Sequence, residues 1–374
     1  MILLVIFDHT IPWVYWDRNY NFIIGAYLWE YIAMPVFLVI MGFNVSQSYK
    51  INGTFDRNYY LRKISRYLIP YTLIWVLSTL IGIFFYNTNN LQLIFENQIT
   101  PAYLDFRHVL IGVYPFWGPG SWFLPLLIIS IFVLPLIHKG FAGKTIWAFL
   151  SLIFCVLIEF GLQMFIYTQL RPFSFDPVMI VEYNNYFNSW TFVLNPVFHI
   201  SSFGLGMWIA KNHKLFSFHN IFIWIIGILS MIYIIVYQFF DFDFKDASGT
   251  KYFFNEAYSF LFAPYSALIV LITLQLLPKN NRGVIKKTFS VIGRSTYHIL
   301  LTQILYMAIL VAIYGNSYST SFMGTVIDPS SPPNMESFYA LFINWAVCIP
   351  IGIAWWSIET RIKKIQRKKI NSLL

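Results

Sequence analysis

An acid and an imidazole stand side by side in the first apolar stretch of the chain. They are Asp8 and His9, within ILLVIFDHTIPWVYW, Ile2 to Trp16. If that stretch crosses a bilayer, two ionisable groups sit among hydrocarbon. An Asp at mid-helix costs roughly 2.5–3.5 kcal/mol on insertion scales. Such groups turn to a bundle interior or a water-filled cavity, and they mark function by default. A neutral imidazole accepts a proton from an attacking hydroxyl, and a carboxylate near it can fix the tautomer. The chemical expectation is a general base at His9 assisted by Asp8. The bland alternative is a polar pair that only ties helices together through hydrogen bonds.

Four further segments bring polar groups into apolar surroundings. RNYYLRKISRYLIP, Arg57 to Pro70, places Arg62 and Arg66 four apart on one helical face, with Lys63 beside them. Three cations at a membrane surface suit a phosphate-rich ligand, because guanidinium groups take phosphate oxygens bidentately. Plain anchoring at an anionic leaflet explains the same charges. WGPGSWFL, Trp117 to Leu124, breaks a helix with two Gly and one Pro where it enters the bilayer. Its tryptophans fit an interfacial belt; alternatively Ser121 and Trp122 line a cavity at a kinked helix start. MPVFLVIMGF, Met34 to Phe43, holds Pro35 and Gly42, which permit a kink and close packing. Glu30 precedes it and is a candidate cavity residue. GRSTYHILLTQ, Gly293 to Gln303, carries Ser295, His298 and Thr302 at spacings of three and four, with Tyr297 alongside. This stripe either faces the cavity or bonds to a neighbouring helix. Glu159 and His199 are single polar residues in apolar runs and read as structural.

The elements that must position these groups follow from composition. The chain has 374 residues, of which 58% are hydrophobic, 20% aromatic and 11% charged. Soluble proteins carry about 25% charged residues, so this chain belongs in a bilayer. The expected class is an all-α polytopic membrane protein. About twenty apolar residues span a bilayer. On that rule there are about ten transmembrane helices, near 1–16, 26–48, 67–86, 122–137, 145–168, 191–210, 221–240, 257–277, 289–313 and 336–357. One alternating set of loops holds nearly all Lys and Arg. The other set holds only Arg18, Arg107, Arg171, Lys245 and Lys251. That bias puts both termini in the cytoplasm and explains the net charge of +9 without a nucleic-acid partner. The outer loops 87–121, 169–190, 241–256 and 314–335 are long and rich in Tyr, Asn, Phe and Pro, as a lid or sugar-binding surface would be.

The two cysteines, Cys155 and Cys348, lie inside apolar runs, so neither a disulfide framework nor a thiol metal site is expected. No metal is expected at all. The chain reads as one transmembrane domain over 1–374 with no fused soluble domain and no cleavable signal peptide. Residues 358–374, with RIKKIQRKK, read as a basic cytoplasmic tail resting on anionic lipid. The first span lacks a cytoplasmic flank, which points to a re-entrant helix or a start upstream of Met1. There is no phosphate-cradling Gly-rich loop with its Lys, no HExxH, no GxSxG and no CxxC pair.

Taken together, these segments resemble acyltransferase family 3, integral-membrane enzymes that O-acetylate or otherwise O-acylate extracytoplasmic glycans. VIFDHT resembles the family's first-helix segment that ends in its important His, here His9. MPVFLVIMGF resembles the segment ending in Ser-Gly-Phe/Tyr, with Met41 where Ser is usual. LRKISRYLIPY resembles the Arg-containing start of the next helix, mapping to Arg62 and Arg66. GSWFL resembles the Trp-Phe-Leu segment at Trp122 to Leu124. GRSTYHILLTQ resembles the late segment that often ends in Leu-Leu-His-Pro, with Thr302 and Gln303 replacing His-Pro. The family's Arg or Lys eleven positions before the His would fall upstream of Met1.

The resemblance implies an acyl-CoA-dependent membrane O-acyltransferase of about ten spans in the cell membrane, with acetyl-CoA as the first-choice donor. The phosphates of the acyl-CoA would sit on Arg62, Lys63 and Arg66. A hydroxyl of an extracytoplasmic glycan would be the acceptor, and His9 its general base. Glu30, Ser121, Trp122, Tyr297, His298 and Thr302 would line the substrate cavity. The competing class is a polytopic transporter or glycan exporter without acyl-transfer chemistry, since intramembrane acids and His also serve proton-coupled transport. Inverted repeats and paired broken helices, common in transporters, are not evident.

Overall fold

A backbone surrounded by hydrocarbon must bond its own N–H and C=O groups, so long apolar runs fold as helices. The structure, a computed structural model, describes residues 2–8, 24–86, 123–165, 197, 199–212, 219–240, 260–276, 283–314 and 335–371. In chain order the helices are α1 (Ile2–Asp8), α2 (Ile24–Asn52), α3 (Arg57–Tyr86), α4 (Phe123–Ala142) and α5 (Thr145–Phe165). They continue with α6 (Ile200–Lys211), α7 (Ile221–Phe240), α8 (Ala263–Leu276), α9 (Val284–Tyr314) and α10 (Met335–Asn371). The described residues are helical apart from turns and short connections, as an all-α chain requires.

The centre of the bundle is the pair α2 and α6, held at backbone contact by glycine. A Cβ on Gly206 would lie 1.9 Å from the Val39 carbonyl oxygen, and one on Gly42 2.1 Å from that of Phe203. Only hydrogen fits at either position. Small residues at helix crossings are the usual device where apolar tails and side chains attract equally. Around this pair, α7 and α8 pack on one side, while α4 and α5 pack against α6. Next to them stand α9 and α10, with α3 against α9. The short α1 touches α2, α9 and α10. Its Ile2 and Ile6 are buried in the same cluster as Leu38, Leu301 and Ile304. The Trp345 indole donates to the Leu3 carbonyl at 3.2 Å, which pins α1 to α10.

The basic ends of several helices gather on one side. Ser46 near the end of α2 meets His138 near the end of α4 at 3.1 Å. Lys211, the last residue of α6, donates to the Phe141 carbonyl at 2.8 Å. Tyr67 of α3, Tyr297 of α9 and Glu359 of α10 meet on the same side of the bundle. The sides of the bundle are apolar: Leu80, Phe84, Phe154, Leu157, Ile226 and Phe342 are all exposed. Water would not tolerate such a continuous apolar surface, whereas lipid does. Among the described residues, two stretches, Thr145–Leu162 and Phe342–Gln366, are long and apolar enough to cross a membrane.

Three boundaries differ from the sequence expectation. α3 starts at Arg57, ten residues before its expected span, because Asp56 caps it by accepting the Tyr59 N–H at 2.8 Å. The cations Arg62, Lys63 and Arg66 stand on this helix, Arg62 and Arg66 one turn apart as their spacing implies. The segment read as a tail continues α10 without a break to Asn371, so its basic residues share one rigid axis. The eighth span is represented by a shorter helix, Ala263–Leu276, preceded by turns at 260–262.

Candidate active site

The α3 cations occupy unequal surroundings. Arg62 is exposed, and its Nε folds back to donate to the Asn58 carbonyl at 3.1 Å. Lys63 is partly buried, with its amine 5.7 Å from the centroid of the Tyr59 ring. Burial first, and the Arg66 charge second, hold the Lys63 amine below the usual lysine range. Burial, and then the Tyr67 and Tyr60 phenols, push Tyr59 up to about 12. A desolvated ammonium beside a guanidinium lacks compensation that an anion would supply. This corner is therefore suited to phosphate.

Another side of α3 meets α9, which in turn packs on α10. Tyr297 donates its hydroxyl to the Tyr67 carbonyl at 2.9 Å, and the two rings stand edge to face at 5.0 Å. The next residue, His298, is buried. Its Nε2 bonds Glu359 Oε2 at 2.7 Å, and its ring stands at 90° to that of Trp355, 5.0 Å away. The second oxygen of Glu359 contacts the Lys363 amine one turn on. The Arg66 and Lys363 charges both reach the His298 ring. The other ring nitrogen of His298, Nδ1, is buried and has no hydrogen-bond partner among the described residues. With its Nε2 proton aimed at the carboxylate, Nδ1 is left as a lone pair.

The close seat of α10 on α9 makes this pairing possible. A Cβ on Gly352 would lie 2.6 Å from the Ile299 Cα. Gly352 and Glu359 are seven residues apart, so they lie on one face of α10. The polar stripe on α9 divides: Ser295 donates to the Val291 carbonyl and Thr302 to the His298 carbonyl, each at 2.8 Å within the helix. His298, like its neighbour Tyr297, reaches across to another helix.

The structure thus brings Arg66, Tyr297 and His298 together and places Lys63 on the adjoining face. Thr302 sits one turn further along α9. Asp8 is the last residue of α1 and Glu30 lies on α2, but their side chains fall outside the described residues, as do His9, Ser121 and Trp122. Trp345, which holds α1, precedes Glu359 by fourteen residues on α10. At 1.5 Å per residue that is about 21 Å along the axis. A ligand joining the basic corner to the level of α1 must be long.

Sequence reading missed Glu359 and Lys363, which it assigned to the tail. Their spacing of four, one turn beyond Trp355, was the available signal. It also missed the Ser46–His138 pair, whose imidazole stacks near Tyr49 at 4.6 Å and Phe55 at 5.4 Å. Nothing local announces a pair 92 residues apart. Glu159, read as structural, accepts the Ser201 N–H at 2.9 Å and so caps the buried first turn of α6. Among the described residues, no group of three or more His, Cys, Asp or Glu is placed to hold a metal ion.

The family model described as an acyltransferase domain, that of acyltransferase family 3, matches residues 1–358. No curated protein and no solved structure gives a significant match.

Proposed function

The chain belongs to acyltransferase family 3, and on that premise we propose that it carries an acyl group, acetyl in the first instance, from cytoplasmic acyl-CoA to a hydroxyl of an extracytoplasmic glycan or cell-surface polymer. In this reading about ten helices span the plasma membrane, both termini are cytoplasmic, and the basic corner faces the cytoplasm. The observation that carries the donor assignment is the pairing of a half-desolvated Lys63 with Arg66 at that corner. The span of about 21 Å from there to the level of α1 favours a donor with a phosphate head and a long arm.

The acyl-CoA phosphates rest on Arg62, Lys63 and Arg66, and the arm extends between the helices toward α1. The acceptor hydroxyl enters from the opposite side, near Glu30, Ser121 and Trp122. His9 takes the hydroxyl proton as the oxygen attacks the thioester carbonyl, and Asp8 steadies the imidazole. A carbon–oxygen bond forms, the carbon–sulfur bond breaks, and the departing thiolate receives the proton from His9. The topology fits the chemistry, because the thioester exists only inside and the glycan only outside.

The test is acceptor acylation in intact membranes. His9→Ala should abolish it at unchanged expression, and retained acylation would refute the base assignment. Arg62→Ala combined with Arg66→Ala should raise KM for acyl-CoA. An unchanged KM would return the α3 cations to membrane anchoring.

A further inference from the structure

The α3 cations are only one wall of the basic corner. On α10, Lys363 is partly exposed while its amine contacts the shielded carboxylate of Glu359. Glu359 is shared, one oxygen on Lys363 and the other on His298 at 2.7 Å. The same imidazole lies beside Tyr297, whose hydroxyl is fixed to the backbone of Tyr67, the residue after Arg66. The charges of Arg66 and Lys363, on two helices almost three hundred residues apart in the chain, thus both act on the His298 ring.

We propose that Lys363 completes the phosphate site of the acyl donor, so that the head group is clasped between α3 and α10, with Glu359 as the internal anion that a donor phosphate displaces from Lys363. The inference rests on the acyl-CoA reading given above. A carboxylate of charge −1 holds Lys363. A phosphate monoester carries about −1.5 to −2 and three acceptor oxygens, and so competes for the same ammonium. On displacement Glu359 keeps its bond to His298, which spares the carboxylate from being buried alone. The ligand class is then a thioester whose carrier bears several phosphates, and recognition lies in the carrier rather than in the acyl group.

The experiment compares acetyl-CoA with S-acetylpantetheine, which has the same reacting thioester and no phosphates, in membranes containing the full chain. Lys363→Ala should raise KM for acetyl-CoA about tenfold, the scale of one charge-assisted contact, and leave KM for S-acetylpantetheine unmoved. Lys363→Arg should restore most of the difference. Glu359→Gln, which can still bond His298, should lower KM for acetyl-CoA alone. Lys364→Ala, one residue on and exposed, should change neither. If Lys363→Ala moves both KM values equally or moves neither, or if Glu359→Gln raises KM for acetyl-CoA, the proposal is overturned. Absence of turnover of either thioester by the wild-type protein overturns the acyl-CoA reading and this one with it. Turnover with unmoved KM overturns this one alone.

Discussion

Replacing Gly206 by alanine adds one methyl group at the tightest crossing in the bundle. The new carbon would lie 1.9 Å from the Val39 carbonyl oxygen and 2.8 Å from the Phe43 nitrogen. Ordinary contact begins near 3.4 Å, so α2 and α6 must part by about 1.5 Å or bend. Both obstacles are backbone, and neither can rotate away. A gap of 0.5–1 Å already forfeits about a quarter to a half of each dispersion contact along the seam. Overpacking of this kind costs typically 1–3 kcal/mol. Alanine returns at most about 1 kcal/mol of helix propensity, so a net loss of about 1–2 kcal/mol is expected, or a few degrees in melting temperature. The chain carries its own reporter: Cys155 and Cys348 are both free and buried, so a thiol-reactive dye lights up on unfolding in detergent. Gly161→Ala is the control, because a Cβ there meets nothing within 4 Å, and its melting temperature should hold or rise. Equal melting temperatures for Gly206→Ala and the parent would refute the reasoning.

Gly352→Ala should act at a distance. It pushes α10 off Ile299 and parts Glu359 from His298, so KM for acetyl-CoA should change together with stability, whereas Gly293→Ala, in open space, should alter neither. Glu159→Ala removes the acceptor of the buried Ser201 N–H and should cost about 1–3 kcal/mol. Glu159→Gln keeps an acceptor and should cost less; equal losses in thermal unfolding would argue against the capping role.

Helical class and the polar segments were readable from the chain because they are local. Long apolar runs between basic loops can only be helices in lipid, and Arg62 and Arg66 share a face at any register of α3. The Gly42 signal was also visible, although its partner was not. Gly206 stands in ISSFGLGMWIAK, where nothing says which helix it meets. Pairings between distant segments stayed hidden for the same reason. His298 was singled out, but the acid that holds it lies 61 residues later, in a stretch whose lysines and arginines drew attention to lipid instead. The expected span began at 67 because a hydropathy window stops where charge begins, whereas the helix, capped by Asp56, starts ten residues earlier.

The contact of α10 with α9 at Gly352 leaves no slack between those two helices. Neither can slide or tilt without driving main chain into main chain, so they move as one plank. α3 is joined to that plank by the ring and hydroxyl of Tyr297, a seam made of side chain rather than backbone. A shift of α3 against that plank therefore breaks one hydrogen bond and one ring contact, where a shift of α10 against α9 meets main chain.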